Sequence, residues 1–250
     1  MEAPPTELRL IVLGCSGSYP GPNAACSGYL LQGGGMNIAL DLGSGTLANL
    51  QQHIDLGDLD AVILSHAHPD HWSDLLVLMT AWKHALARED LPVYGTGETR
   101  DMVLAVAGEI EPTLRWTTLE DGLACTLGAF TFRFSQTVHY VETMAVHVEL
   151  AGGPTVAYSA DTGPGWSFAS FARPIDLAVC EATMLEAGEP DGILHLSARQ
   201  AGTMAREAGV RRLVLTHQSP GGAAEAFRAE GCAAFGGPVE LAAEHARFVV

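Results

Sequence analysis

Ser65-His66-Ala67-His68-Pro69-Asp70-His71 follows directly on the apolar run Ala61-Val62-Ile63-Leu64. It sets three histidines and one aspartate within six residues. Histidine is the commonest metal-ligating side chain, and packing gives no reason for so dense a polar cluster at a strand end. His66 and His68 stand two apart, so an extended backbone sends both side chains to one side. Pro69 then stops the strand, because it has no N–H to give to a ladder. Asp70 and His71 follow as the chain turns towards a helix. Such a turn can aim the first pair at one metal ion and the second pair at another. The plainer alternative, a polar loop rich in histidine, leaves the spacing unexplained.

Bulk properties set the surroundings of this motif. The chain has 250 residues, 48% hydrophobic and only 17% charged, which suits a buried core and not a disordered chain. No window holds the roughly 18 uninterrupted apolar residues that a membrane span needs. The start, Met1 to Thr6, has Glu2 and two prolines in place of a basic stretch and an apolar core, so it does not read as a secretory signal. A cytoplasmic location is expected. Five cysteines (Cys15, Cys26, Cys125, Cys180, Cys232) are odd in number and form no C-x-x-C pair, which indicates isolated thiols and neither a disulfide framework nor a cysteine zinc site. The formal net charge is −16, with only 13 Lys and Arg. Binding a long polyanion relies on neutralising many phosphates, so nucleic acid is not an expected partner, and an anionic substrate must be small or drawn by a local positive centre such as a bound metal.

The rest of the chain reads as short strands mixed with helices. Strands are expected at Leu8–Leu13, Ser27–Leu31, Met36–Asp41 and Asp60–Leu64, with Gly33-Gly34-Gly35 as a hairpin turn. Helices are expected at Gly43–His53 and Asp74–Arg88. In the second half, strands are expected at Ala129–Ser135, Met144–Leu150, Thr155–Ser159, Ile175–Cys180 and Arg212–Thr216. Helices follow at Ser197–Ala208, with Ser197 as N-cap, and at Glu225–Glu230. The pattern predicts an α/β (α+β) fold: a four-layer αββα sandwich of two mixed β-sheets flanked by helices. No Pro-, Ser- or charge-rich linker divides the chain, so residues 1–250 read as a single domain.

With the strand before it, the H-x-H-x-D-H motif resembles the signature of the metallo-β-lactamase-fold hydrolases. Further segments look like the family's remaining ligand positions in the expected order: Thr137-Val138-His139, Tyr158-Ser159-Ala160-Asp161-Thr162 and Leu213-Val214-Leu215-Thr216-His217. The resemblance implies one metal held by His66, His68 and His139, a second held by Asp70, His71 and His217, and Asp161 bridging both. It implies two divalent ions, zinc foremost, with manganese or iron also compatible with histidine and carboxylate ligands. The Tyr-Ser-Ala-Asp-Thr stretch, Cys180–Thr183, His195–Ala201 and the opening Leu10–Ser18 resemble the branch that contains ribonuclease Z and small cyclic-nucleotide phosphodiesterases. That branch implies hydrolysis of a small phosphodiester, such as a 3′,5′-cyclic nucleotide, through a metal-bridging hydroxide. Asp70 and His195 are the candidate catalytic groups, His195 as the acid that protonates the departing oxygen, with Glu181 orienting it. A homodimer is common among such relatives.

The chain departs from ribonuclease Z in two places. His139 and Asp161 are 22 positions apart, too few for the tRNA-clasping arm, and Gln218-Ser219-Pro220-Gly221 stands where Arg and Tyr are usual. The alternatives are therefore a thioester or lactone hydrolase (glyoxalase II-like), a ribonuclease Z-like nuclease without the arm, or a non-catalytic metal-binding protein, although no ligand position is lost. His147 is a rival third histidine, lower in rank because it lies within a strand pattern. His53, His84 and His245 read as structural or exposed. Trp72 either lines the mouth of the site or packs beneath the helix, and Gly14–Ser18 is a weak candidate for a backbone phosphate cradle.

Overall fold

A computed structural model describes residues 7–189 and 192–250. The Met1–Thr6 stretch, read above as lacking a secretory signal, lies outside the described residues. Fourteen strands among the described residues form two seven-stranded sheets. The first sheet is built from β1 (Arg9–Gly14), β2 (Gly28–Gly33), β3 (Met36–Leu42), β4 (Ala61–Ile63), β5 (Leu91–Gly95), β6 (Leu114–Thr118) and β14 (Arg247–Val249), in the order β14-β1-β2-β3-β4-β5-β6. The second holds β7 (Ala124–Leu127), β8 (Phe130–Gln136), β9 (Met144–Leu150), β10 (Thr155–Tyr158), β11 (Leu177–Glu181), β12 (Arg212–Thr216) and β13 (Val239–Leu241), in the order β13-β12-β11-β10-β9-β8-β7. Each sheet is mixed: β14 to β3 and β7 to β10 pair antiparallel, whereas β3 to β6 and β10 to β13 pair parallel.

The apolar runs are continuous because both faces of each sheet are covered. On β1, Leu10 and Val12 face the opposing sheet and Ile11 and Leu13 face the helices, the period-2 alternation of a strand. Val156 and Tyr158 likewise point between the sheets while Ala157 packs outward. Helices α1 (Thr46–Leu50), α2 (Pro69–Trp72), α3 (Asp74–His84) and α4 (Gly97–Ala107) cover the first sheet, and α5 (Ala198–Glu207) and α6 (Ala224–Phe235) the second. This is the expected αββα sandwich. Ser197 caps α5 in a reciprocal capping box with Gln200. All five cysteines are free thiols. Among the described residues no helix is long and apolar enough to cross a membrane.

Several element bounds differ from expectation. The helix expected over Gly43–His53 is confined to Thr46–Leu50, since Gly45 takes a left-handed φ of 93° and the backbone at Gly43 runs hard against α2. A Cβ on Gly43 would lie 1.8 Å from the Asp70 carbonyl oxygen, so only glycine admits that approach. The helix expected to reach Arg88 ends at His84. Ala87 turns left-handed (φ 50°), and the Arg88 N–H satisfies the Trp82 carbonyl, a stop without the glycine that usually signals one. The segment β5–α4–β6 had no clear sequence signature, in part because Pro92 sits inside β5, where a proline normally argues against an inner strand.

Candidate metal centre

The site lies where strands end. His66, His68, Asp70 and His71 follow β4, His139 lies between β8 and β9, and Asp161, Glu181 and His217 lie at the ends of β10, β11 and β12. Apart from His139, which joins two antiparallel strands, these are the C-terminal ends of parallel strands, the usual place for ligands in open α/β sheets. Non-glycine residues in left-handed conformation at Asp41, Ala160 and His217 (φ 59°, 51° and 61°) turn the chain sharply there. Each costs about 1 kcal/mol, and the turns re-aim the side chains that follow a straight strand.

All seven residues implied as ligands come together in two sets of donor atoms. In the first, His68 Nδ1 is 3.1 Å from both His66 Nε2 and His139 Nε2, and Asp161 Oδ2 is 3.6 and 3.7 Å from those same Nε2 atoms. In the second, His71 Nε2 and His217 Nε2 are 3.3 Å apart. Asp70 Oδ2 lies 3.6 and 3.3 Å from them, and Asp161 Oδ1 lies 3.4 Å from each. A tetrahedral zinc ion with bonds of 2.0–2.1 Å has ligand–ligand edges of about 3.3–3.4 Å, and both sets are built to that scale. The Asp161 carboxylate gives one oxygen to each.

Three observations fit this cluster to cations. Asp161 Oδ1 is buried without a hydrogen-bond partner, which for an ionised oxygen costs more than the roughly 1–3 kcal/mol of a neutral group. Second, the outer nitrogens are committed. His71 Nδ1 donates to Asp41 Oδ2 at 2.7 Å and His139 Nδ1 to the Leu194 carbonyl at 2.9 Å. His66 Nδ1 meets Ser65 Oγ and His217 Nδ1 meets Thr183 Oγ1, both at 2.9 Å. Protons held on Nδ1 turn the Nε2 atoms inward as the donors to a metal, that of His71 once it gives up its own proton. Third, burial keeps the His66, His68 and His139 rings below the ordinary imidazole pKa. Burial also opposes charge on His71, but Asp161 and Asp41 outweigh it and hold that ring well above the ordinary value. Asp70 and Asp161 are ionised despite burial, held well below the carboxylate range by His217 and His71. Neutral nitrogens beside ionised carboxylates suit a divalent ion. The proton that His71 retains must leave when a metal arrives. Zinc binding to the metal-free chain at pH 7 is therefore expected to release at least one proton, and to weaken as pH falls from 7 to 5.5; calorimetry in buffers of different ionisation enthalpy checks both.

Asp41, at the end of β3, carries no motif that marks it as part of a site, yet it organises the cluster. Its buried carboxylate takes hydrogen bonds from the Ser65 N–H (2.7 Å), Ser65 Oγ (2.8 Å), His71 Nδ1 and Tyr158 OH (2.9 Å). The available signal was an aspartate closing the apolar run Ile38-Ala39-Leu40, as His66 follows Ala61–Leu64. Asp41→Asn leaves at least one of these buried donors unpaired. Metal affinity is expected to fall about 10- to 100-fold, read by chelator competition, with a lower melting temperature.

His195 and Glu181 also meet. Glu181 is fully buried and accepts from the Thr162 and Leu196 N–H groups (2.8 and 3.2 Å), Thr183 Oγ1 (2.8 Å) and His195 Nδ1 (3.0 Å). Burial lowers the His195 pKa, but the Glu181 hydrogen bond and charge, with Asp161, raise it to about 9. Its Nδ1 is 3.9 Å from Asp161 Oδ2 but is committed to Glu181.

Contacts decide three positions that the sequence leaves open. The Gly14–Ser18 loop is not a phosphate cradle, because its N–H groups are spent. Those of Cys15 and Ser16 go to Ala25 O, that of Gly17 to Gln218 O and that of Ser18 to Asp70 Oδ2. The loop instead braces the cluster, and Gly17 sits so close to His217 that a Cβ would lie 2.5 Å from its carbonyl oxygen. His147 is not a ligand: it is buried within β9, its Nε2 bonded to Pro174 O at 3.0 Å. Trp72, the last residue of α2, packs into the core between the first sheet and its helices with Nε1 bonded to Ala67 O. Among the other histidines, His53 and His245 pair with each other on the surface at 3.0 Å, away from the cluster.

A two-sheet αββα scaffold carrying a histidine–aspartate cluster at one edge defines the metallohydrolases of metallo-β-lactamase fold. The family described as the Beta-lactamase superfamily domain matches residues 37–218, and the chain belongs to that superfamily. It is 32% identical over 243 residues to the probable metallo-hydrolase YhfI of Bacillus subtilis, covering 94% of this chain and 97% of that one. The crystal structure of YhfI superposes with a TM-score of 0.90 over 98% of this chain and 99% of that one. Rv1339 of Mycobacterium tuberculosis is 35% identical, covering 93% and 88%, and ribonuclease Z of Thermobifida fusca is 30% identical, covering 97% and 94%. A diphosphatase of the PhnP family shares the fold at 17% identity and a TM-score of 0.77, over 96% and 97%.

Proposed function

We propose that this metallohydrolase is a phosphodiesterase for a small phosphodiester, such as a 3′,5′-cyclic nucleotide, with two divalent ions, zinc foremost, in the two donor sets. When bound, such ions lower the pKa of water towards neutrality and withdraw charge from an anionic ester. The observation that carries the reading is His195: a half-buried imidazole beside the cluster, tied through Nδ1 to Glu181 and drawn towards its cationic form. Phosphodiester cleavage with an alkoxide leaving group calls for such an acid. Glu181 holds the ring, and Nε2 is left to give the proton. Asp70 and Asp161 remain ionised and hold positive charge in the cluster, while Asp41 fixes Ser65 and His71 beneath it. The ribonuclease and diphosphatase names of relatives agree with chemistry at phosphorus. The net charge of −16 and the short His139–Asp161 interval favour a small substrate over RNA.

The test is elemental analysis of the purified protein, then loading with Zn²⁺ or Mn²⁺ and assay on cyclic AMP, bis(p-nitrophenyl) phosphate, a thioester and a lactone. Two ions per chain and metal-dependent turnover of the diesters are expected. No turnover of either diester, or faster thioester or lactone hydrolysis that survives His195→Ala, overturns the reading.

A further inference from the structure

The chain is pinned on both sides of His195. On the far side, the Leu196 N–H donates to Glu181 Oε2 at 3.2 Å. On the near side, both main-chain groups of Leu194 are held by two consecutive residues of the β8–β9 loop: His139 Nδ1 donates to its carbonyl at 2.9 Å, and its N–H donates to the Tyr140 hydroxyl at 3.1 Å. Gly163 backs the same segment, since a Cβ there would lie 3.1 Å from Leu194 Cα. The Tyr140 ring is 57% exposed, its centroid 5.2 Å from that of His139 and 6.3 Å from that of His195. An aromatic ring so exposed adds little to the core. Its specific contact is the hydroxyl.

We propose that Tyr140 is a positioning residue: with His139 it clasps Leu194 and so fixes the His195 ring against the reaction centre. The inference rests on the phosphodiesterase reading for its consequence, but the clasp exists independently of it. Tyr140 acts through His195, so removing the hydroxyl matters only when the departing oxygen needs a proton. The 3′-alkoxide of a cyclic nucleotide is a poor leaving group and needs one. A p-nitrophenolate departs without help.

Tyr140→Phe keeps the ring and removes the acceptor. In the full-length, metal-loaded protein, kcat on cyclic AMP is expected to fall about 3- to 10-fold and kcat on bis(p-nitrophenyl) phosphate to stay level, with metal content unchanged. Amide hydrogen exchange at Leu194 is expected to quicken about tenfold, the range of one lost hydrogen bond. Equal losses on both substrates, a loss of metal, or unchanged exchange at Leu194 overturns the proposal. If the wild-type protein turns over neither diester, the phosphodiesterase reading fails, and exchange alone decides the clasp: faster exchange in Tyr140→Phe supports it and unchanged exchange overturns it.

Discussion

Asp161→Ala is expected to abolish metal-dependent hydrolysis, with a fall in kcat of at least about 10³-fold, equivalent to ~4 kcal/mol of transition-state stabilisation. The carboxylate is the single group common to both donor sets, Oδ2 beside His66 and His139 and Oδ1 beside His71 and His217. Its removal takes one ligand from each set and the negative charge between them. Elemental analysis should find fewer than two ions per chain. Comparison of metal-free and metal-loaded melting curves should find that added zinc raises Tm far less in the variant, because a ligand stabilises only in proportion to its affinity for the folded state. A variant that keeps both ions and full activity would refute the shared-carboxylate arrangement.

His195→Ala is expected to separate substrates. A positioned general acid contributes about 10²- to 10⁴-fold, so kcat on cyclic AMP should fall within that range. Hydrolysis of bis(p-nitrophenyl) phosphate should fall by roughly tenfold or less, because the phenolate leaves without a proton. Metal content should be unchanged, since His195 Nδ1 is engaged by Glu181 and not by the donor sets. The wild-type pH profile on cyclic AMP should show an alkaline limb: the group must be protonated to act, and its pKa is drawn up to about 9 by Glu181 and Asp161 against the effect of burial. Bound cations push the same pKa down, so the limb is expected below that value and absent from the variant. Equal loss on both diesters would assign His195 a different role.

The seven clustered residues were readable because His66–His71 form a dense motif of their own and because the segments around His139, Asp161 and His217 resemble a family's ligand positions. An apolar run marks a buried strand, and a polar residue just past it emerges at the sheet edge; His66, Asp161 and His217 all follow that rule, after β4, β10 and β12. The H-x-H pair needs only the alternation of an extended backbone. Asp41 obeys the same rule but stands alone, without a neighbouring histidine to draw notice. His147 shows the reverse limit. A histidine inside a strand has two faces open to it, and only the packing shows that its Nε2 bonds to Pro174 O. The Gly14–Ser18 loop resembles an anion cradle until the partners of its N–H groups are known. Helix ends failed where long-range contact decides them, as at Gly43 against Asp70 and at Ala87.

By itself the sequence determined the two-sheet sandwich, the His66–His71 motif and the acidic balance of charge, since hydrophobic period and residue chemistry are written one position at a time; His139, Asp161 and His217 were legible only through resemblance to a family. Tertiary structure alone decided the distances that bring those donors together around Asp161. It also decided that Asp41 holds His71 from behind, and that Tyr140 meets Leu194 across 54 positions of chain. These relations are distances between strand ends brought together by the packing of two sheets, and no local pattern encodes them.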